Sequence, residues 1–521
     1  MVLKKALRVA LPGQKLDPFL IFFGFLGLYA LSLIQVHTYD ALNYAAAVQT
    51  GTRDLFGLLQ PHHLVYNVAG RVFFRLWELA GWRGGSLLPL QVLNAFISSF
   101  SLALFYRLLA GLTRRPVALV ATALLAVTHG YWLYTVEVEV YLLSAAFLIA
   151  TFYALTRPVT HVYRQGLIAG ALLGLAVLAH QSNLLFGLVA LAAALSLQLD
   201  RGQKARLLLS LGAAAFLTAF IPYAAAILVL KLDSPRAILF WLTTYVQMGS
   251  WGKLQANAPL QALGGIWNTL AVSNQEFPLF GSLFVVLLVG LVSWAAWQAN
   301  RRISGLCLVW IAAYGLFFTW WEPSNLEFWI AILPPVFTLL ALSANRLTGP
   351  ARSWALLGLA ALVPLLAGYN WSAGISLLRD PAADARRQNA LDITRCMAPG
   401  EKVLLASPLL APWLNYFGKV ETLPVESAFL VADREQATDV PQQAFAQLQQ
   451  AIDASLGANR RIFAAGEALE STALIQRYGV STSQVQSFFD GYSLRRTKCV
   501  YLASYLPGFP SFAVYLIRPK K

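Results

Sequence analysis

Long apolar runs recur from residue 18 to about residue 370, each roughly 17–25 residues long, the length of helix that crosses a bilayer core of ~30 Å. A helix satisfies its own backbone polar groups in hydrocarbon. We therefore predict an α-helical polytopic membrane protein with about eleven transmembrane helices. The predicted spans are 18–36, 88–111, 117–135, 140–156, 166–180, 183–199, 207–230, 278–299, 303–320, 327–344 and 353–369.

Charge placement predicts the orientation of these spans and explains the formal net charge of +15. Basic residues concentrate in alternate connections, and such residues stay on the cytoplasmic side. They are Lys4, Lys5, Arg8, Arg114, Arg115, Arg157, Arg164, Arg201, Lys204, Arg206, Arg301, Arg302, Arg346 and Arg352. We therefore predict a cytoplasmic N-terminus and an extracytoplasmic C-terminus in a bacterial-type plasma (inner) membrane. The membrane topology accounts for most of the excess of basic residues, so we do not interpret it as a nucleic-acid-binding surface and we expect no nucleic-acid partner.

The last 150 residues or so have a different composition, with a higher density of Gln and with apolar runs too short to span. GEKVLLAS (400–407), RRIFAAG (460–466), CVYLAS (499–504) and FAVYLIRP (512–519) are typical of strands, and PQQAFAQLQQAIDASL (441–456) has helical periodicity. We predict two domains, a transmembrane module at 1–370 and an extracytoplasmic α/β domain at 371–521.

Two predicted outer connections, 37–87 and 231–277, are long, whereas the predicted cytoplasmic connections are short. Within the first, LVYNVAGRVFFRLW (64–77) has the pattern of an amphipathic helix at the membrane interface. The second is rich in Trp and Tyr, in FWLTTYVQMGSWGK (240–253) and WNTLAVSNQEFP (267–278). The functional site is therefore predicted to lie on the outer side of the membrane.

Asp40 lies directly after the first apolar run, with Tyr44 close by. Ionisable residues at the edge of an apolar segment are costly to bury and are candidates for function. An outer carboxylate could take a proton from an acceptor hydroxyl or amide. The alternative is an acid that only caps a helix.

The stretch QPHHLVYN (60–67) places His62 and His63 side by side. Such a pair binds anionic phosphate when protonated or donates hydrogen bonds when neutral. Metal binding stays open, although HH alone lacks the spacing of a zinc motif. We expect no cofactor.

Glu137 and Glu139 lie between two closely spaced spans, with Tyr141 beside them. Acids ringed by aromatic side chains are typical of a polar binding site, and one of the two is predicted to point inward. AHQSN (179–183) adds His180 and Gln181 at another outer span end. Solvated loop charges and a small polar turn are the alternatives.

FFTWWEPSNLEFWIAILPPV (317–336) places Glu322 and Glu327 in a tight outer turn. Interfacial Trp is often only an anchor, but two acids are more polar than anchoring requires. Basic residues on the predicted outer side invite an anionic partner such as a lipid phosphate. They are Arg53, Arg71, Arg75, Arg236 and Lys253.

Three cysteines divide between the predicted regions of the chain. Cys307 lies inside an apolar span and is interpreted as packing. Cys396 and Cys499 lie in the predicted extracytoplasmic domain, where a disulfide can persist. Two reduced thiols are the alternative, because sequence does not show proximity.

In order and type, these features resemble the GT-C superfamily of membrane glycosyltransferases, especially the branch of protein O-mannosyltransferases and aminoarabinose transferases. The resemblance is carried by TYDALNY, PHHLVYN, EVEVYLLSAAFLIATFYALTRP, the 166–195 hairpin and EFWIAILPPVFTLLAL, over residues 1 to about 345. It implies a sugar carried on a polyprenyl phosphate and inverting transfer on the outer face to a lipid, glycan or protein acceptor. It also implies Asp40 as base, Glu139 or Glu137 as second carboxylate, and His62, His63 and an outer arginine on the phosphate.

Two other classes remain open. A secondary transporter is one, although transporters usually place their charges near the bilayer midplane in paired repeats. A non-catalytic component of cell-envelope polysaccharide assembly is the other. Replacing Asp40 by Asn separates the enzyme from both.

Overall fold

The structure is a computed structural model that describes residues 12–247, 251–253, 255–273, 279–434, 437–470, 478–503 and 510–520. Its contacts divide the chain into two compact units. The helical unit comprises Met1–Ile34 and Ala47–Arg379, and the C-terminal unit comprises Gln35–Ala46 and Asp380–Lys521. The division predicted from sequence, 1–370 and 371–521, stays a prediction.

Helices dominate the described chain up to Arg379. They are α1 (Pro12–Ala30), α2 (Tyr39–Thr50), α3 (Leu55–Leu58), α4 (Leu64–Leu79), α5 (Leu87–Leu112), α6 (Arg115–Ala126), α7 (His129–Val136), α8 (Tyr141–Thr156), α9 (Val162–Ala179), α10 (Phe186–Ser196), α11 (Arg201–Val229), α12 (Pro235–Leu242), α13 (Thr244–Gln247), α14 (Ala258–Leu270), α15 (Leu279–Ala299), α16 (Arg301–Trp321), α17 (Leu326–Trp329), α18 (Leu333–Arg346) and α19 (Gly349–Ala373). Short 3-10 helices cover Gly51–Arg53, Pro61–His63, Gln181–Leu185, Ile330–Ile332 and Ile375–Arg379.

Each predicted span coincides with a helix or a helix pair, and the amphipathic helix predicted at 64–77 is α4. Among the described residues, six helices are long and apolar enough to cross a membrane, or seven if one bent pair counts as a single span. Helices α1, α8 and α10 are apolar but shorter. The chain is an integral membrane protein, and the predicted count of about eleven spans stays a prediction. Residues 248–250 and 274–278 of the Trp- and Tyr-rich connection lie outside the described residues.

The span predicted at 117–135 consists of two helices with a break between them, which the sequence did not predict. Helices α6 and α7 are bent by 63° at a break before His129. Thr128 at the break is extended and is the N-cap residue of α7. The Asn370 side chain on α19 donates to the carbonyl oxygen of Val127 at 2.9 Å. A break is tolerated at this depth because the freed backbone group keeps a partner.

Small residues bring α9 and α11 unusually close. A Cβ atom added to Gly170 would lie 2.2 Å from the carbonyl oxygen of Leu211, so only glycine fits there. Gly166 and Gly174 repeat the contact one turn to either side. Small residues at this spacing are typical of helix pairs that pack backbone to backbone in membranes.

The C-terminal unit contains a five-stranded sheet with strand order β2-β1-β3-β5-β4. The strands are β1 (Lys402–Leu405), β2 (Glu421–Pro424), β3 (Ile462–Ala465), β4 (Tyr492–Leu502) and β5 (Ser511–Pro519). Its helices are α20 (Ala385–Thr394), α21 (Ala411–Trp413), α22 (Val425–Arg434), α23 (Val440–Gly457), α24 (Gly466–Leu469) and α25 (Thr482–Asp490). Short helical turns cover Pro381–Ala383, Pro408–Leu410 and Leu414–Gly418.

Strand β1 pairs in parallel with β2 and β3, and β5 runs antiparallel to β3 and β4. The four predicted strands and the predicted helix are therefore confirmed, although β4 begins at Tyr492, earlier than 499, and β2 was missed. Residue 504 lies outside the described residues. A disulfide joins Cys396 to Cys499, which decides between the two alternatives left open by the sequence, and Cys307 is buried in α16.

Candidate functional site

The turn between α7 and α8 carries the two acids Glu137 and Glu139, which are 0% and 1% exposed. The alternative of solvated loop charges is therefore wrong. The Asn94 side-chain amide on α5 donates to the carbonyl oxygens of both acids, at 2.8 Å each. One turn earlier on α5, Gln91 donates to the carbonyl oxygen of Val136 at 2.8 Å. Helix α5 thus fixes the backbone of the acidic turn.

Tyr66 on α4 closes this region from another side. Its hydroxyl donates to Oδ1 of Asn94 at 3.0 Å. This bond fixes the orientation of the Asn94 side chain, whose amide nitrogen donates to the acidic turn. The ring is fully buried. Burial, with the nearby charges of Glu139 and Glu137, raises the pKa of Tyr66 well above its ordinary value. The hydroxyl therefore stays protonated and keeps its role as a donor.

Glu327 lies at the start of α17 and is held by side chains from three segments. Tyr141 Oη donates to its Oε1 at 2.8 Å, and Tyr134 Oη donates to its Oε2 at 3.3 Å. The Asn325 amide also donates to Oε1 at 2.8 Å. Glu322 lies beside this group and accepts from the Trp251 indole at 3.0 Å. The predicted residues Tyr141, Glu322 and Glu327 thus lie together.

The three histidines predicted to be functional also lie together. His62 and His63 are in the 3-10 helix Pro61–His63, and His180 interacts electrostatically with both. Gln181 hydrogen-bonds His62. The ring of Tyr141 is 5.4 Å from that of His180, which connects the histidines to the Glu327 group.

Burial decides the charge of the histidine pair. It lowers the pKa of His62 to about 4 and that of His63 to about 3, and the neighbouring imidazoles add to the effect at His63. Both rings are therefore neutral at pH 7. Of the two roles predicted for them, donation by neutral rings fits this environment, because a buried cation is costly.

The predicted arginines are placed elsewhere. Arg71 on α4 donates to the carbonyl oxygen of Val48 at 3.0 Å and lies 4.0 Å from Glu78. Arg53 is exposed at the end of a short 3-10 helix. In the part of the chain that the structure describes, neither guanidinium is bonded to the histidines. A role for either on phosphate stays a prediction.

Asp40 and Tyr44 lie in α2, in the segment that groups with the C-terminal unit. Asp40 is partly exposed in the first turn, and Tyr44 is buried. An acid in a first turn is favoured by the helix dipole, so the capping alternative stays open. The roles implied for Asp40 as base and for Glu139 or Glu137 as second carboxylate stay predictions. Among the described residues no three His, Cys, Asp or Glu side chains could hold one metal ion.

An apolar groove of about 730 Å³ lies between α9 and α11. Leu173 and Val177 line one side, and Ala215 and Phe216 line the other. Tyr223 lines the groove too, and its hydroxyl donates to the carbonyl oxygen of Pro61 at 2.6 Å. The groove therefore reaches the 3-10 helix Pro61–His63, which is called the histidine turn below.

The sequence reasoning missed the residues that hold this site. They are Tyr66, Gln91, Asn94 and Tyr223. A signal existed for Gln91 and Asn94, which are polar residues inside the predicted span 88–111. The two tyrosines gave none, because aromatic residues are common in membrane helices for other reasons.

The chain resembles known membrane proteins in part of its sequence and in its fold. Residues 73–225 match the family described as dolichyl-phosphate-mannose-protein mannosyltransferase. ArnT from Cupriavidus metallidurans bound to undecaprenyl phosphate superposes with a TM-score of 0.59 at 14% identity, covering 96% of this chain and 97% of that one. Its apo state gives 0.60, with the same identity and coverage. No curated protein sequence matches the chain.

A more distant likeness is to the archaeal oligosaccharyltransferase AglB from Archaeoglobus fulgidus, in complex with an inhibitory peptide and a dolichol-phosphate. The TM-score is 0.51 at 14% identity, covering 96% of this chain and 74% of that one. The chain thus has the fold of the GT-C superfamily. The family match together with this fold confirms the predicted class, a GT-C type membrane glycosyltransferase.

Proposed function

We propose that the protein transfers a sugar from a polyprenyl-phosphate-linked donor to an acceptor on the extracytoplasmic face, with inversion at the anomeric carbon. The observation that carries this proposal is the apolar groove between α9 and α11, which reaches the histidine turn, the 3-10 helix Pro61–His63, through Tyr223. A polyprenyl phosphate has this form, a long apolar chain joined to one polar head. The ligands named for ArnT and AglB, undecaprenyl phosphate and dolichol-phosphate, are of the same class.

The groove suits the tail of the donor. Its lining is almost entirely apolar, and Gly212, Ala215 and Ala219 leave room along α11. Phe220 and Leu228 extend the apolar surface in the same direction along the helix. A chain of isoprene units would enter the groove from bilayer hydrocarbon, so close van der Waals packing, and not removal of apolar area from water, would hold it there.

The head of the donor would then lie beside Tyr223, Gln181 and His62. Neutral imidazoles donate hydrogen bonds to phosphate oxygens without the cost of a buried cation. Such donors stabilise the negative charge that grows on the phosphate as the sugar leaves.

The transfer step needs one bond to form and one to break. The acceptor oxygen or nitrogen forms a bond to the anomeric carbon, and the bond from that carbon to the phosphate oxygen breaks. The bonding electrons leave with the polyprenyl phosphate, and the acceptor proton goes to a carboxylate. The resemblance supports Asp40 as that base and Glu139, or else Glu137, as the carboxylate that positions a substrate. The acceptor is a lipid, glycan or protein.

This proposal also sets the membrane orientation. The N-terminus is proposed to be cytoplasmic and the C-terminal unit extracytoplasmic, in a plasma (inner) membrane. The basic residues in alternate connections support it. The bridge between Cys396 and Cys499 also supports it, because disulfides persist outside the cytosol.

Mass spectrometry of lipid-linked sugars tests the function and the base together. Cells lacking the gene should accumulate one polyprenyl-phosphate sugar and lose one modification. Wild-type protein and the control variant Asp54→Asn should restore both, because an asparagine side chain caps α3 as well as the aspartate does. Asp40→Asn should restore neither at normal protein level.

Two results would count against the proposal. Restoration by Asp40→Asn would remove the base assignment. No change in any lipid-linked sugar, with solute uptake by the purified protein in sealed vesicles, would favour a transporter instead.

A further inference from the structure

The C-terminal unit has its own pocket, which the transfer step does not use. It encloses about 520 Å³ between α23, α25 and the paired ends of β4 and β5. Sites for small molecules have volumes of about 300–1,000 Å³. Unlike the groove of the helical unit, this pocket is lined by polar and apolar groups in similar measure.

Aromatic rings form one wall of the pocket. Phe488 and Tyr492 meet edge to face with ring centroids 6.1 Å apart, and Phe488 stacks on Phe445 at 5.0 Å. The Tyr492 hydroxyl donates to Oδ1 of Asp453 at 3.1 Å. These contacts fix the rings while both pocket aromatics stay partly exposed. The pocket is therefore preorganised for a ligand with a flat apolar face.

Polar side chains surround that wall. Gln449, Asp453, Ser487 and Lys520 line the pocket and are all exposed. Lys520 Nζ donates to the carbonyl oxygen of Asp490 at 2.8 Å, which holds the side chain at the C-terminal end of α25. The set includes donors and acceptors, and it carries one carboxylate and one ammonium. It thus suits a ligand whose groups both donate and accept.

We propose that this pocket binds one sugar residue of a saccharide. A pyranose has an apolar C–H face for the aromatic wall, and its hydroxyls act as both donors and acceptors for the polar rim. The inference rests on the proposed function for its biological role, since a saccharide site in a sugar-transferring enzyme would hold a carbohydrate-containing acceptor. It narrows the acceptor from a lipid, glycan or protein to a molecule that carries sugar.

The test uses the full chain in lipid nanodiscs, because detergents with sugar head groups would compete for the pocket. Labelled protein is applied to a printed array of neutral and charged oligosaccharides. Wild-type protein should bind a subset of them. Gln449→Ala should weaken that binding by roughly tenfold, the loss expected when one good hydrogen bond is removed. Asp453→Ala should weaken it further, because it also frees the Tyr492 ring.

Gln450→Ala is the matched control. Gln450 is the next residue of α23, is equally exposed and does not line the pocket. It should bind the array as wild-type protein does. Thermal melting of each variant distinguishes loss of the site from loss of the fold. The surface substitution Gln449→Ala should melt within a degree or two of wild type.

The outcomes separate this inference from the proposed function. Asp40→Asn should keep full array binding, because the pocket is independent of the transfer step. A wild-type protein that transfers sugar but binds no oligosaccharide would overturn this inference alone. Equal binding by Gln449→Ala and Gln450→Ala, or competition by peptides only, would overturn it as well. Array binding without any transferase activity would overturn the proposed function and leave the pocket intact.

Discussion

Two acids of the helical unit, Asp17 and Glu327, are held in contrasting ways. Asp17 on α1 is buried and receives two bonds from the Arg115 guanidinium, at 2.7 Å from Nε and 2.6 Å from Nη2. Tyr106 donates to the same carboxylate. Glu327 receives its described bonds from two phenols and an amide.

The difference separates a structural acid from an acid suited to chemistry. A bidentate guanidinium fixes a carboxylate and neutralises its charge, so Asp17 ties α1 to α6. Neutral donors orient a carboxylate and leave its negative charge in place. We propose that Glu327 positions a substrate, whereas Asp17 clamps α1 to α6.

Of the changes that test this contrast, Glu327→Gln is expected to have the largest effect. Glutamine has the same shape, but its side chain has one acceptor oxygen, whereas Tyr134, Tyr141 and the Asn325 amide donate to two oxygens of Glu327. Sugar transfer should fall on the order of 10²-fold, the cost of displacing a bound substrate by about 1 Å. The measurement is the rate of loss of the accumulated lipid-linked sugar in membranes that contain equal amounts of folded protein.

Glu421→Gln is the control for this change, because Glu421 is an exposed acid that pairs with Lys402 in the C-terminal unit. It should transfer sugar at close to the wild-type rate. Equal rates for Glu327→Gln and wild type would make Glu327 structural and remove the contrast with Asp17.

An intermediate effect, on stability alone, is expected for Asp17→Asn. The amide cannot pair with both guanidinium nitrogens, so α1 and α6 lose their charged link. The melting temperature should fall by several degrees, while transfer per folded molecule stays unchanged. Asp200→Asn is the matched control, because asparagine caps α11 as well as Asp200 does. A loss of transfer without a loss of stability would contradict the structural role.

The smallest expected effect is on the pH dependence of thermal stability, and it comes from His63. Burial holds the pKa of His63 at about 3, below its ordinary value of 6.5. Between pH 6.5 and pH 3, His63 is therefore protonated in the unfolded chain and neutral in the folded chain. The free energy of unfolding has its full value above pH 6.5 and decreases as the pH falls toward 3. Melting temperatures at pH 7 and pH 4.5 should differ less for His63→Asn than for wild type. The exposed His161 provides the control, and its replacement by Asn should leave the wild-type difference unchanged.

Local sequence signals account for much of the fold. Apolar length predicted helices at each proposed span, and alternation predicted four of the five strands. Strand β2 was missed because ETLP (421–424) is short and carries no alternating apolar pattern. The break between α6 and α7 was missed for a related reason. No Gly or Pro marks residues 127–128, and the carbonyl freed there is satisfied by Asn370, more than 200 residues away.

The sequence by itself determined the class of protein, the positions of its apolar helices and the residue types at their ends. Those properties depend on hydrophobicity and periodicity, which are local. The tertiary structure alone decided that Tyr141 meets Glu327, that Asn94 holds the acidic turn and that His180 lies beside the neutral pair His62 and His63. Such contacts depend on how distant helices pack, and burial set by that packing fixes the charge of the histidines.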